Sequence, residues 1–301
     1  MGGLRQAILA TLLAAVSAAA PAWAADPCAG YTPQPKPQNT SHQDVGQDLD
    51  AIVDRGYVTF AVYADNAPYS WMDKGKPRGV DVDVARLIAD ELGVEARFNF
   101  VPAGENLQAD LMNNVWRGPV VGGAVSNVMM RVPYNPAFAC RVDQVVFTGL
   151  YADEEIGIAF RRADYPDGGP TVPYFRYDSV GVENDSISDF YLTSFANGQL
   201  APQVHRFGST AEAMSALDRG EVKAVMGPLA QLQFGEAEGE GIHEPPLPNF
   251  SLSHWTLGVA IHTSHRPLAY AVDDAVAAGL DDGRIAAIYT DYGLTLLPPR
   301  R

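Results

Sequence analysis

The chain has 301 residues, 36 acidic against 21 basic, a formal net charge of −15 and 47% hydrophobic residues. That acidity argues against nucleic acid and anionic membrane surfaces as partners, since both are recognised through clustered Lys and Arg. The apolar content and length suffice for a folded protein larger than one ordinary core.

Residues 1–24 read as a secretory signal peptide. Arg5 precedes an apolar run from Ala7 to Ala20, and Ala22-Trp23-Ala24 supplies small residues at a cleavage site. The run is too short for a spanning helix, so the mature chain is expected to begin near Ala25 as a soluble periplasmic protein without membrane insertion. Ala25-Asp26-Pro27 ahead of Cys28 is not a lipobox. In an oxidising compartment the two cysteines, Cys28 and Cys140, are expected to pair. Residues 25–48 carry Pro33, Pro35 and Pro37 at alternate positions and read as an extended N-terminal tail.

Folded structure is expected from Leu49. A short helix, Leu49 to Arg55, ends at Gly56, and Tyr57 to Val62 is a strand. Asp65 to Met72 is a candidate binding loop, because ligands of open α/β sheets sit beyond the carboxyl ends of strands. Val82 to Leu92 has helical apolar spacing with a Gly93 stop, and Arg97 to Val101 is a strand. Further on, Ser179 to Val182 is a strand, and Ser186-Ile187-Ser188-Asp189 has the form of a capping box. Thr210 to Asp218 is a helix, Val222 to Met226 a strand, Gly258 to Ile261 a strand, and Ala269 to Leu280 a helix. Alternating strands and helices over 277 mature residues predict an α/β protein of two lobes, each an open sheet flanked by helices.

Gly56-Tyr57-Val58-Thr59-Phe60-Ala61-Val62, Ala67-Pro68-Tyr69 and Gly79-Val80-Asp81-Val82-Asp83 resemble the type II periplasmic solute-binding proteins of family 3, the polar amino-acid group. Val145 to Tyr151, Leu257 to Ile261 and Leu280 to Ile285 extend the resemblance. It implies a periplasmic-binding-protein type II fold with a two-strand hinge. Lobe I would comprise residues 49–150 and 258–301, and lobe II residues 151–257, with crossings near Leu150 to Glu154 and His254 to Leu257. It also implies a monomer that closes on a small polar solute without a cofactor and serves an ABC-transporter permease.

The family's amino-acid clamp, carried onto this chain, puts Tyr69 and nearby Trp71 against the ligand. Ser126 and Arg131, five residues apart, would hold its carboxylate. Counting back from Phe147 instead makes Arg141 the anion-holding residue, because a segment with Pro133, Pro136 and Cys140 intervenes. Asp65, Asp185 and Ser186 complete the expected cleft. The clamp is incomplete: Gly227-Pro228 stands where the ammonium-binding Asp would follow a strand, and Asp185 replaces a glycine ahead of Ser186. Gly227-Pro228-Leu229-Ala230 resembles the J-type periplasmic accessory proteins that accompany quinoprotein methanol dehydrogenases, which would make a periplasmic dehydrogenase the partner. The family also includes dehydratases using a cleft carboxylate, for which Glu183, Asp185 or Asp65 would be needed. No acid–base partner is legible for any of them, and the chain reads as a binding protein. His262 and His265 lack a third metal ligand.

Overall fold

The computed structural model describes residues 26–32, 45–119, 121 and 123–300. The signal-peptide reading of residues 1–24, the proline-rich part of the tail and Gly122 lie outside the described residues.

Eleven strands and nine α-helices are present among the described residues. The first part of the chain gives α1 (Leu49–Arg55), β1 (Tyr57–Tyr63), the hairpin β2 (Trp71–Asp73) and β3 (Lys76–Arg78), α2 (Val80–Glu91) and β4 (Glu95–Val101). There follow α3 (Leu107–Leu111), β5 (Val128–Tyr134), α4 (Pro136–Ala139) and the 17-residue β6 (Val145–Arg161). The middle of the chain forms β7 (Val180–Glu183), α5 (Ile187–Ser194), β8 (Val204–Phe207), α6 (Thr210–Asp218), β9 (Ala224–Pro228), α7 (Leu229–Gly235) and β10 (Glu240–His243). The chain then returns through β11 (His254–His262) to α8 (Arg266–Asp281) and α9 (Arg284–Asp291).

The strand order β4-β1-β5-β11-β6-β9-β7-β8 resolves into two lobes joined by β6 and β11. In lobe I, β1 is parallel to β4 and β5, and β11 closes the sheet antiparallel to β5 and β6. In lobe II, β7 is parallel to β8 and β9, while β6 is antiparallel to β9 and β10. Each lobe has apolar clusters on both faces of its sheet: Phe60, Ile88 and Val259 in one cluster of lobe I, Leu111 and Met129 in the other. Ile158, Phe175 and Leu192 fill one side of lobe II, with Met214, Leu217 and Leu232 on the other. Trp255, on the crossing strand, packs against clusters of both lobes.

The helices start and stop where local chemistry dictates. Asp48 caps α1 by accepting from the Ala51 amide, and Gly56 ends it in the left-handed conformation at φ 78°. Ser186 caps α5 by accepting from the Asp189 amide. Folding begins slightly before Leu49. Val45 packs on the lobe I core, and its carbonyl meets His265 Nε2 at 2.8 Å. The segment read as an insertion is the end of β5 and α4. It carries Cys140, which is disulfide-bonded to Cys28 as expected, with Cα atoms 5.5 Å apart.

Two irregularities face each other across β11. Gly258 pairs with Val132 but Ala260 with Met129, so β5 holds one extra residue there, and Arg131 sits at this bulge with φ 57°. On the other side, Leu257 pairs with Ala152 and Val259 with Thr148, with Gly149 in the left-handed region at φ 54°. A side chain at Gly258 would lie 2.8 Å from the Thr148 carbonyl, so only glycine fits between the two displaced strands. A bulge re-aims a side chain that regular pleating would point elsewhere. Here it turns Arg131 inward, at a backbone cost of roughly 1–2 kcal/mol for a left-handed non-glycine residue.

Candidate functional site

An interlobe cavity of about 350 Å³ opens beyond the ends of β1 and β5. Tyr63, Asn66, Asp110 and Arg131 contribute from lobe I, Pro228 and Gln231 from lobe II, and the crossing strand adds Trp255. Asp110 stands at the wall with both carboxylate oxygens bonded: Gly104 donates its amide at 2.7 Å and Tyr63 its hydroxyl at 2.8 Å. Burial, then the Asp110 charge, pushes the Tyr63 phenol well above its ordinary pKa, so it stays a donor.

Behind the cavity lies a buried ionic cluster. The Arg131 side chain is 10% exposed; its Nη2 donates to Glu154 Oε2 at 3.1 Å, and Nη1 lies 3.7 Å from Asp81 Oδ1. The guanidinium carbon rests 3.1 Å from the Tyr69 ring centroid, a cation–π contact in a dry setting. Tyr69 donates its hydroxyl to Glu154 Oε2 at 2.6 Å, and Tyr151 donates to Asp81 Oδ1 at 2.8 Å. Glu154 Oε1 accepts from the Ala230 amide at 3.3 Å, in the first turn of α7. One carboxylate on β6 thus ties the lobe I arginine to the lobe II helix.

The backbone explains how Asp81 arrives there. Gly79, at φ 126°, precedes α2, and a side chain on it would stand 2.1 Å from the Tyr69 carbonyl. That close approach lets the Val80 and Asp81 amides donate to the Pro68 and Tyr69 carbonyls. The helix start is therefore filled by the chain itself. Burial raises the Asp81 pKa to about 6, against the pull of Arg131 and the Tyr151 hydrogen bond. Burial alone would lower the Arg131 pKa, but the surrounding Tyr69, Asp81, Tyr151 and Glu154 outweigh it and hold the guanidinium charged.

Of the residues expected in the cleft, Tyr69 and Arg131 line the cavity. Trp71 stands outside it, packed against Tyr292 and Phe234, with its ring centroid 5.8 and 5.7 Å from theirs. Ser126 is buried and accepts from Asn99 Nδ2 at 2.8 Å, a contact inside lobe I. Arg141 is exposed beyond α4 and does not line the cavity. Asp65 is exposed at φ 51° beside the cavity residue Asn66. Asp185 and Ser186 sit at the start of α5, where the Asp185 amide donates to Asp189 Oδ2 at 3.2 Å, and neither lines the cavity. Ser126 bonds inside lobe I, whereas Arg131, five residues further on within β5, joins the buried ionic cluster.

Glu154, Asp81, Asp110, Gln231 and Trp255 were not singled out from the sequence. A signal existed for Glu154: Asp153-Glu154-Glu155 interrupts an otherwise apolar strand, and acids buried in strands need partners. His262 and His265 have ring centroids 5.8 Å apart, and no group of three or more metal-ligating side chains occurs among the described residues. No helix among the described residues is long and apolar enough to cross a membrane.

Two sheets joined by two crossing strands around an interlobe cavity define a two-lobed solute-binding-protein fold of type II. Residues 58–115, from β1 to the π-helical stretch Met112–Trp116 that continues α3, match the family described as bacterial extracellular solute-binding proteins, family 3. Comparison with curated proteins found no match. Among solved structures, an ancestral cationic amino acid solute-binding protein superposes with a TM-score of 0.66 at 22% identity, covering 81% of this chain and 99% of that one. An amino acid ABC transporter substrate-binding protein of Streptococcus pneumoniae, bound to L-arginine, gives 0.59 at 20% identity over 83% of this chain and 100% of the other. The solute receptor for L-cysteine of Neisseria gonorrhoeae gives 0.54 at 19% identity over 82% and 93%.

Proposed function

We propose that this chain is a periplasmic solute-binding protein that captures a small polar solute between its lobes and presents it to an ABC importer. The observation that carries the reading is the cavity itself. Its walls come from both lobes and from the crossing strand, so a solute inside touches every part that moves in hinge closure. Its volume of about 350 Å³ lies in the range of small-molecule sites. Two of the similar structures are described as bound to L-arginine and as a receptor for L-cysteine, and the shared architecture supports the same mode of capture here.

A binding role is preferred to catalysis. One structural neighbour is described as a precursor of cyclohexadienyl dehydratase, but the arginine-bound neighbour is a transporter substrate-binding protein and the third is a solute receptor.

Native mass spectrometry of the protein purified from its own periplasm tests the reading. A retained small mass at one copy per chain is expected. A stoichiometric dehydrogenase subunit with no small mass would overturn it in favour of an accessory role.

A further inference from the structure

A dehydrated carboxylate needs a cation or a set of free amides to receive it. Arg131 is the only basic residue on the described cavity wall, and its guanidinium already faces Glu154 at 3.1 Å and Asp81 at 3.7 Å. Behind the wall, the Ala230 amide in the first turn of α7 donates to the same Glu154. A single internal carboxylate therefore occupies the Arg131 Nη2 and the Ala230 amide, while Nη1 makes no hydrogen bond and has the Asp81 carboxyl 3.7 Å away. The Glu154 side chain is 4% exposed, so it is part of the packed interior.

What remains on the wall is suited to the opposite charge. Asp110 brings a buried carboxylate to the surface of the cavity. Gln231, from lobe II, has a buried Oε1 that accepts from no partner, an acceptor in search of a donor. Trp255 and Tyr63 add aromatic rings, whose faces attract organic cations. With Arg131 facing two carboxyl groups and Asp110 beyond them, a carboxylate entering the cavity would meet like charge.

Resting on the reading of this cavity as a solute site, we propose that it rejects carboxylates and takes a small organic cation, an amine or guanidine with no carboxylate of its own. Glu154 is then a built-in substitute for the ligand carboxylate. The cation's N–H groups would meet Asp110 and Gln231, and its positive charge the ring of Trp255.

Isothermal titration of the mature protein with agmatine, putrescine and choline, against L-arginine and glutarate, tests this. Agmatine and L-arginine share a guanidinium chain and differ in the carboxylate. At least one of the three cations should bind, agmatine at least tenfold more tightly than L-arginine, and glutarate should give no signal. Asp110→Asn should weaken the cation at least tenfold, and Trp255→Phe several-fold with the circular dichroism unchanged. L-arginine or glutarate binding as tightly as agmatine would overturn the exclusion of carboxylates while leaving solute binding intact. Silence from all three cations would overturn the assigned class. The periplasmic mass measurement then decides separately: a retained small mass keeps the solute reading, and its absence removes that reading too.

Discussion

Replacing Glu154 by Gln probes the buried cluster most directly. The glutamine keeps the shape but has one acceptor oxygen where the glutamate has two, so it accepts from Tyr69 or from Ala230 and not from both, and the charge facing Arg131 is removed. Arg131 would keep Asp81 alone, at 3.7 Å and without a hydrogen bond to Nη1. Breaking one side of a buried ion pair costs about 3–5 kcal/mol, because the remaining charge stays desolvated. For a chain of this size that corresponds to a fall in Tm of roughly 10 °C. Urea unfolding of the parent, Glu154→Gln, Arg131→Met and the double variant completes a cycle. The double variant should lose less than the sum of the singles by more than about 2 kcal/mol, since neither charge is then left alone. A loss below about 1 kcal/mol for Glu154→Gln, or simple additivity in the cycle, would refute the claim that this pair is a desolvated, coupled unit.

Asp81 makes a pH prediction of definite sign. Its pKa is raised in the folded state from 3.8 to about 6, so its protonated form favours folding: the contribution is full below pH 4 and is lost as pH rises through 6. At 1.4 kcal/mol per decade this is about 3 kcal/mol. Asp81→Asn, whose amide oxygen can still accept from Tyr151, should therefore gain that much stability relative to the parent between pH 4 and 7.5 in urea titrations, and a flat difference would contradict the assignment. The Cys28–Cys140 bond closes a loop with a sequence separation of 112, and Cys28→Ser with Cys140→Ser should cost about 5 kcal/mol on chain-entropy grounds. Guanidinium unfolding of parent and variant measures it. Gly79→Ala should fail to give soluble folded protein, because its methyl group would overlap the Tyr69 carbonyl; normal expression and an unchanged Tm would count against the described loop geometry. Gly30→Ala has open space around it and should behave far better at expression than Gly79→Ala.

Much of the fold was legible because each lobe repeats a strand, loop and helix unit with clear stops. Helices α1 and α6 begin and end where Asp48, Gly56 and Ser209 place their boundaries. The strand β5 is not legible in the sequence, since Pro133 interrupts it on paper. In the fold, β1 pairs only with Val128 and Met129, so Pro133 lies where that edge of β5 has no partner and no ladder bond is lost. The candidate site was the least legible part. Tyr69 and Arg131 line the cavity, but their place in the buried ionic cluster is not legible in the sequence, because a spacing rule says nothing about a bulge that turns Arg131 inward. Trp71 was assigned to the ligand by its nearness to Tyr69 in sequence, yet the β2–β3 hairpin carries it away to Tyr292 and Phe234. Glu154, Asp110 and Gln231 come together from segments far apart in the chain, and such juxtapositions exist only after folding.

The Glu154–Ala230 hydrogen bond has a mechanical meaning as well. Helix α7 is also fastened to the C-terminal segment through Gln233 and Thr295, which exchange hydrogen bonds of 3.0 and 3.3 Å. Swinging lobe II outward at this edge must stretch both fastenings and draw an amide away from a desolvated charge. The resting angle is thus held by residues of the chain itself. Glu154→Gln would weaken one of these fastenings, and the distribution of hinge angles in solution should broaden.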